Sequence, residues 1–173
     1  AARPGMTLST DIIVGFPGET EDDFAQTLSL VREVGFVALF GFKYSERPHT
    51  PARKLGDDVP EETKSDRLAR LFELIEAQTR AHLATLVGTR QRVLVEGASK
   101  ATKDGPRTMQ GRTERNEIVH MIAPSDRGIV GEIVDVEIVR ANKHSLEARV
   151  PEDAIAKLPV TPRRFGARRS LPL

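Results

Sequence analysis

The apolar residues of this 173-residue chain keep one spacing up to Gly88 and another after it, and that break limits the fold more than any other feature. Residues 9–16 are β-branched and almost wholly apolar and stop at Pro17 and Gly18, the pattern of a strand buried in a parallel sheet. Thr20 and Asp23 form a capping-box pattern, and Glu21, Asp22 and Asp23 suit the positive end of a helix. Phe24, Leu28, Val31 and Val34 then recur at helical spacing, and Gly35 closes the helix. Residues 36–44 read as a second strand. Strand, helix and strand make a βαβ unit, whose crossover is right-handed in nearly every known case. Beyond Pro48 and Pro51, the sequence Pro60, Glu61, Glu62 opens a long helix, striped by Leu68, Leu71, Phe72, Ile75, Thr79, His82, Leu83 and Leu86.

After Arg90 the spacing becomes two: Val134, Val136 and Ile138 face one way, Asp135, Glu137 and Val139 the other. Gly97, Gly105, Gly111, Gly128 and Gly131 punctuate the region, giving strands over 90–96, 108–113, 117–122, 131–140 and 145–150. Five short strands in so few residues fit a small OB-like Greek-key barrel. Past Val150, four prolines and an arginine-rich run carry little apolar periodicity and read as a disordered tail. The expected fold is therefore α/β followed by all-β, in domains 1–87 and 88–151 with a basic tail over 152–173.

Composition removes several function classes. Hydrophobic residues at 39% and charged residues at 29% are those of a globular domain, and no apolar run approaches the length that spans a bilayer. The amino terminus has neither a starting Met nor an apolar signal core, so it reads as the start of a fragment from a cytoplasmic protein. With no cysteine, the chain can make no disulfide, thiolate zinc site or thiolate-held iron-sulfur cluster of its own. Residues 1–85 hold 10 basic and 14 acidic side chains, residues 86–150 hold 11 and 9, and residues 151–173 hold 5 and 2. An acidic front and a basic rear suit two units with different partners, the rear having the sign that nucleic acid requires. Basic tails are also often merely solubilising.

Three stretches carry a family resemblance. Thr10 to Thr20, reading TDIIVGFPGET, with Asp23 and Phe24 after it, resembles the late-barrel segment of radical-SAM methylthiotransferases. Residues 42–52, FKYSERPHTPA, resemble that family's strand and its Ser-x-Arg-Pro-Gly-Thr-Pro-Ala loop, with His49 in place of the usual glycine. Residues 111–120, GRTERNEIVH, are similar to the TRAM domain of MiaB-type tRNA methylthiotransferases, and 131–138, Ala141, Asn142, His144 to Leu146 and Val150 follow in the family's order. The collinear match runs over about 7–151.

The resemblance implies the last part of a radical-SAM barrel, a partial TIM barrel, with a long helix and then a TRAM barrel that binds RNA. It implies a parent enzyme that adds a methylthio group to C-2 of an N6-prenyl-adenosine beside the tRNA anticodon, using S-adenosylmethionine and two 4Fe-4S clusters. The cluster ligands belong to a missing N-terminal part, so this chain alone is expected to be inactive and to bind neither cluster. Expected partners are that missing part and the tRNA anticodon stem-loop. Two alternatives remain: an RNA-binding module without catalysis, and a sibling methylthiotransferase acting on threonylcarbamoyl-adenosine or a ribosomal protein.

Ligands of barrel enzymes sit at the carboxyl ends of the strands, which places Gly15, Phe16, Pro17, Gly18 and Glu19 at a cofactor rim. Tight-turn geometry is the competing explanation, and for Glu19 the favouring of a helix N-terminus. Tyr44, Ser45 and Arg47 could face tRNA or cofactor, Arg47 otherwise pairing with Glu46 or Asp57. In the rear unit Lys100, Lys103, Arg107, Arg112, Arg115, Lys143 and His144 lie on or beside loops, where a phosphate backbone could meet them. Arg112 and Arg115 head that set. Asn116 either reads a base edge or shapes a turn. His82 and His120 are expected to be packed.

Overall fold

The computed structural model describes residues 5–56, 58–99, 108–122 and 128–159. It divides into two compact units, 1–82 and 83–173.

In the first unit, β1 (Ser9–Val14) and β2 (Ala38–Lys43) pair in parallel, with Ser9 opposite Ala38 and Val14 opposite Lys43. The connection is α1 (Glu21–Val34), which begins as the capping pattern predicts: the Asp23 N–H donates to Thr20 Oγ1, and the Thr20 N–H donates to the Asp23 carboxylate. Gly35 ends it in a left-handed conformation, its N–H donating to the Val31 carbonyl. The long helix α2 (Glu61–Thr85) follows a single helical turn at Pro51–Leu55. Val14, Phe24, Leu28, Val31 and Leu71 form the core of this unit, with Ile12, Leu39 and Leu68 against them. Thr79, a polar member of the α2 stripe, is also accounted for, since its Oγ1 donates to the Val37 carbonyl at 2.8 Å.

One expectation needs correcting. Residues 9–16 read as a strand buried in a sheet, yet Ile13, Phe40 and Phe42 are all more than half exposed. The core residues of α1 and α2 gather on the side of Ile12, Val14 and Leu39, so only one face of the two strands is covered by described residues. Strand alternation then leaves every second apolar side chain in the open.

In the second unit, β3 (Arg90–Ala98), β4 (Thr108–Thr113), β5 (Ile118–Ile122), β6 (Ile133–Ala141) and β7 (Leu146–Arg149) close into a barrel in the order β3-β4-β5-β7-β6. Alternate residues fill it: Val93, Val95, Met109, Val119, Met121, Val134, Val136, Ile138, Leu146 and Ala148. Gly111 sits where β3 and β4 come too close for any side chain, since a Cβ there would lie 2.4 Å from the Leu94 carbonyl oxygen. Among the described residues, closure leaves no strand edge of this barrel unpaired, whereas β1 and β2 each pair on one side only.

Two details add to the reading from sequence. Leu83, on the last turn of α2, and Leu86, just past its end, belong to the barrel core, so the end of the helix packs with the second compact unit. Residues 152–159, assigned to a disordered tail, instead include a short helix α3 (Glu152–Ile155), with Ala154 and Leu158 buried and Leu158 in the barrel core. Two apolar side chains four residues apart on one turn were too short a pattern to distinguish from coil. The remainder of that tail lies outside the described residues.

Candidate functional site: a cleft beside the first strand and the end of the barrel

The turn after β1 is held from within. Gly15 has φ +70°, and its missing side chain makes room for Lys64, whose Cγ would stand 2.4 Å from a Cβ there. The Gly15 N–H donates to both carboxylate oxygens of Glu19, at 3.0 and 3.1 Å, and the Gly18 N–H donates to Asp58 Oδ1 at 2.9 Å. Glu19 in turn takes an ion pair from Arg67: Nη1 is 2.7 Å from Oε1, with the two side chains only 5% and 13% exposed. The same nitrogen also donates to the Glu19 carbonyl. Glu19 is thus turned into the protein. It shapes the turn, and the arginine is what allows its charge to be buried.

Beyond this turn lies a cleft of about 910 Å³ lined by Ile13, Phe16, Phe42, Tyr44, Arg47 and Lys64 among others. Phe16 and Tyr44 meet edge to face, ring centres 5.2 Å apart. Lys64 is 2% exposed and its ammonium lies 5.6 Å from the centre of the Tyr44 ring. The Tyr44 hydroxyl is buried without a hydrogen-bond partner among the described residues. Of the residues expected at a rim, Phe16 therefore faces the cleft, and Arg47 joins it from the loop after β2. Glu46, named as a possible partner for Arg47, pairs with Arg53 at 3.9 Å, while Asp57 lies outside the described residues. His49 has φ +65°, a left-handed conformation that costs most side chains energy, which accounts for glycine in the family's version of this loop.

The barrel gathers a second set. The β4–β5 turn carries Arg115 and Asn116. Because β7 runs parallel to β5, with Leu146 opposite Val119, the loop that precedes β7 opens at the same end. Arg112, Arg115, Asn116, Lys143 and His144 thereby share one end of the barrel, and Arg115, Lys143 and His144 are exposed. Asn116 is the turn-shaping residue, at φ +74°, and its side-chain and backbone oxygens both accept from Arg112 Nη1. Lys100, Lys103 and Arg107 lie outside the described residues. His120 is half-buried with Nδ1 3.0 Å from Ser99 Oγ, and His82 is half-buried, in keeping with packed roles.

Comparison with known proteins places the sequence in a family. The TRAM domain model covers residues 84–150, the barrel and the last turn of α2. A tRNA-2-methylthio-N(6)-dimethylallyladenosine synthase of Sorangium cellulosum is 60% identical over 99% of this chain and 36% of its own length. Synthases of the same name from Bordetella petrii and Chromohalobacter salexigens are 52% and 46% identical, over 91% and 89% of this chain and 32% and 34% of their own lengths. The chain belongs to the MiaB-type tRNA methylthiotransferases. It spans about a third of the length of the curated relatives it matches.

Two buried cations of this family member escaped the sequence reading. Lys64 and Arg67, near the start of α2, are only 2% and 4% exposed. The signal was available in the spacing: 64, 67, 71 and 75 continue the apolar stripe toward the helix N-terminus. Cations at stripe positions predict buried anionic or carbonyl partners, and Glu19 is one. No helix among the described residues is long and apolar enough to cross a membrane.

Proposed function

We propose that this chain is the part of a cytoplasmic tRNA methylthiotransferase that binds tRNA and closes one side of the cofactor site, in an enzyme that places a methylthio group at C-2 of an N6-prenyl-adenosine beside the anticodon. The observation that carries this reading is the 60% identity to a synthase of that name across 99% of the chain, a match that spans both units. In this reading the barrel end with Arg112, Arg115, Asn116, Lys143 and His144 meets an anticodon stem-loop, and Lys100 and Arg107 add to the same RNA contact. Arg47 reaches the tRNA from the cleft side. Domain limits near 87 and 151 follow the same division of labour.

S-adenosylmethionine fits the cleft, and this supports the cofactor assignment. Phe16 and Tyr44 offer apolar ring surface to a purine, the turn of Gly15, Pro17 and Gly18 lets backbone approach it, and the buried Tyr44 hydroxyl still wants a polar partner. Glu19 belongs to the site by shaping that turn. When bound beside a reduced cluster, the cofactor supplies the radical and methyl chemistry. The clusters find no ligand here, because the chain has no cysteine, so their thiolates come from the rest of the enzyme. That missing part also suits the exposed Ile13, Phe40 and Phe42 and the unpaired edge of β1, which a further parallel strand would complete.

The test is a chimaera in which this chain replaces the matching third of the Sorangium synthase, produced in cells lacking their own enzyme. Methylthiolated prenyl-adenosine should return to tRNA hydrolysates, as read by mass spectrometry. A soluble, cluster-loaded chimaera that restores none of it refutes the assignment.

A further inference from the structure

Among the cations at the barrel end, Arg112 is the one whose plane is fixed. Its Nε lies 3.3 Å from Glu96 Oε1, and its Nη1 donates to the carbonyl and the side-chain oxygen of Asn116, at 3.1 and 3.0 Å. The left-handed backbone of Asn116 brings both oxygens to one side of the guanidinium. Two in-plane positions are thereby in use, and Glu96 offsets part of the charge. The side chain is still 37% exposed, which leaves surface for a ligand to meet.

The neighbours on the outer surface are aliphatic. The strand registers put Leu94 beside Arg112 on β3 and Ile118 beside it on β5, with Ile133 of β6 next to Leu94. Leu94 and Ile133 are 47% and 58% exposed, although their position on a polar barrel exterior gives no folding reason for an apolar side chain. A phosphate calls for free in-plane donors and undiminished charge, which Arg112 has already committed. An unpaired base calls for a weakly hydrated planar group flanked by apolar surface, as this row offers.

We propose that the row Ile133, Leu94, Arg112 and Ile118 is a stacking platform for an unpaired base of bound RNA, with Arg112 supplying the flat surface and phosphates left to other cations at this end. The proposal deepens the RNA-binding reading of the barrel and rests on it. Glu96 and Asn116 act as positioning residues, since they hold the plane that the base covers.

Arginine and lysine separate face from charge. The full 173-residue chain and its R112K, R112A and L94A variants are titrated with two RNAs, a hairpin carrying a fluorescent adenine analogue in its unpaired loop and a continuous duplex of equal length. Circular dichroism confirms that each variant keeps its fold. R112K and R112A should both weaken hairpin binding about tenfold and abolish the quenching of the analogue, with little change on the duplex. L94A, which leaves the arginine in place, should show a smaller loss in the same direction. If R112K binds and quenches as wild type does, Arg112 acts by charge and the platform is wrong. Unchanged hairpin affinity in all three variants, with binding still salt-dependent, overturns the platform but leaves RNA binding standing. A wild-type chain that binds neither RNA removes both readings.

Discussion

The turn after β1 and the β4–β5 end of the barrel both depend on arginine, and the two arginines do opposite work. Arg67 is buried, and its guanidinium is spent on Glu19, which in turn holds the Gly15 amide. Arg115 sits on an exposed turn of the second unit, where its charge remains available to a ligand. The same side chain is thus a structural pin where water is excluded and a recognition element where water is present. Desolvation makes the difference: a buried charge must be neutralised within the protein before anything else can use it.

The largest test of that contrast is at the buried end. Arg67→Ala leaves the Glu19 carboxylate unpaired in the interior and should cost about 3 kcal/mol in urea unfolding followed by the helical circular dichroism signal. Adding Glu19→Gln should recover part of the loss, because the stranded charge is then gone. A loss below experimental error for Arg67→Ala would mean the pair is hydrated and the contrast between the two arginines is false.

Packing supplies the next effect. Gly111→Ala forces a methyl group against the Leu94 carbonyl and the Val93 side chain and should destabilise the barrel by about 2 kcal/mol, with the βαβ unit unaffected. Hydrogen exchange resolved by residue would distinguish the units, and equal loosening of both would show that they do not unfold separately.

Arg115→Ala should leave stability within about 0.5 kcal/mol of wild type while lowering the salt slope of RNA binding by about 1. A stability loss without a change of slope would make Arg115 a second structural pin.

The smallest effect concerns pH. The hydrogen bond and charge of Arg90 hold the Asp153 carboxyl below its ordinary range, tying α3 to the start of β3. A carboxylate lowered on folding stabilises above its unfolded value and loses that contribution as pH falls through its folded value. Acidification below the usual aspartate range should therefore loosen α3 slightly in wild type, and Asp153→Asn should remove that pH dependence. Because the pair is exposed, the shift is expected to be small.

Local physical signals made much of this protein readable in advance. The capping box at Thr20 and Asp23, the helix stop at Gly35 and the β4 and β5 strands depend on residues close together in sequence, whose preferences are expressed before any tertiary contact forms. The change of period near Gly88 was equally legible, but which core the end of α2 serves was not. Leu83 and Leu86 look like any other members of a helical stripe, and only barrel closure decides which core they enter. The short α3 turn was missed for a similar reason, since Leu158 has no periodic partner until the barrel offers it a surface.

At the candidate sites the sequence by itself determined which chemical groups are present: a glycine-rich turn, aromatic residues after two strands, cations on loops, and no thiolate. Tertiary structure decided which of them are spent. Glu19 turned inward because Arg67, 48 residues away, was brought beside it, and Asn116 became the support of Arg112 because the β4–β5 turn folds it back. Charge can be counted along a chain, but burial depends on residues distant in sequence, and burial determines whether a charge serves the fold or a ligand.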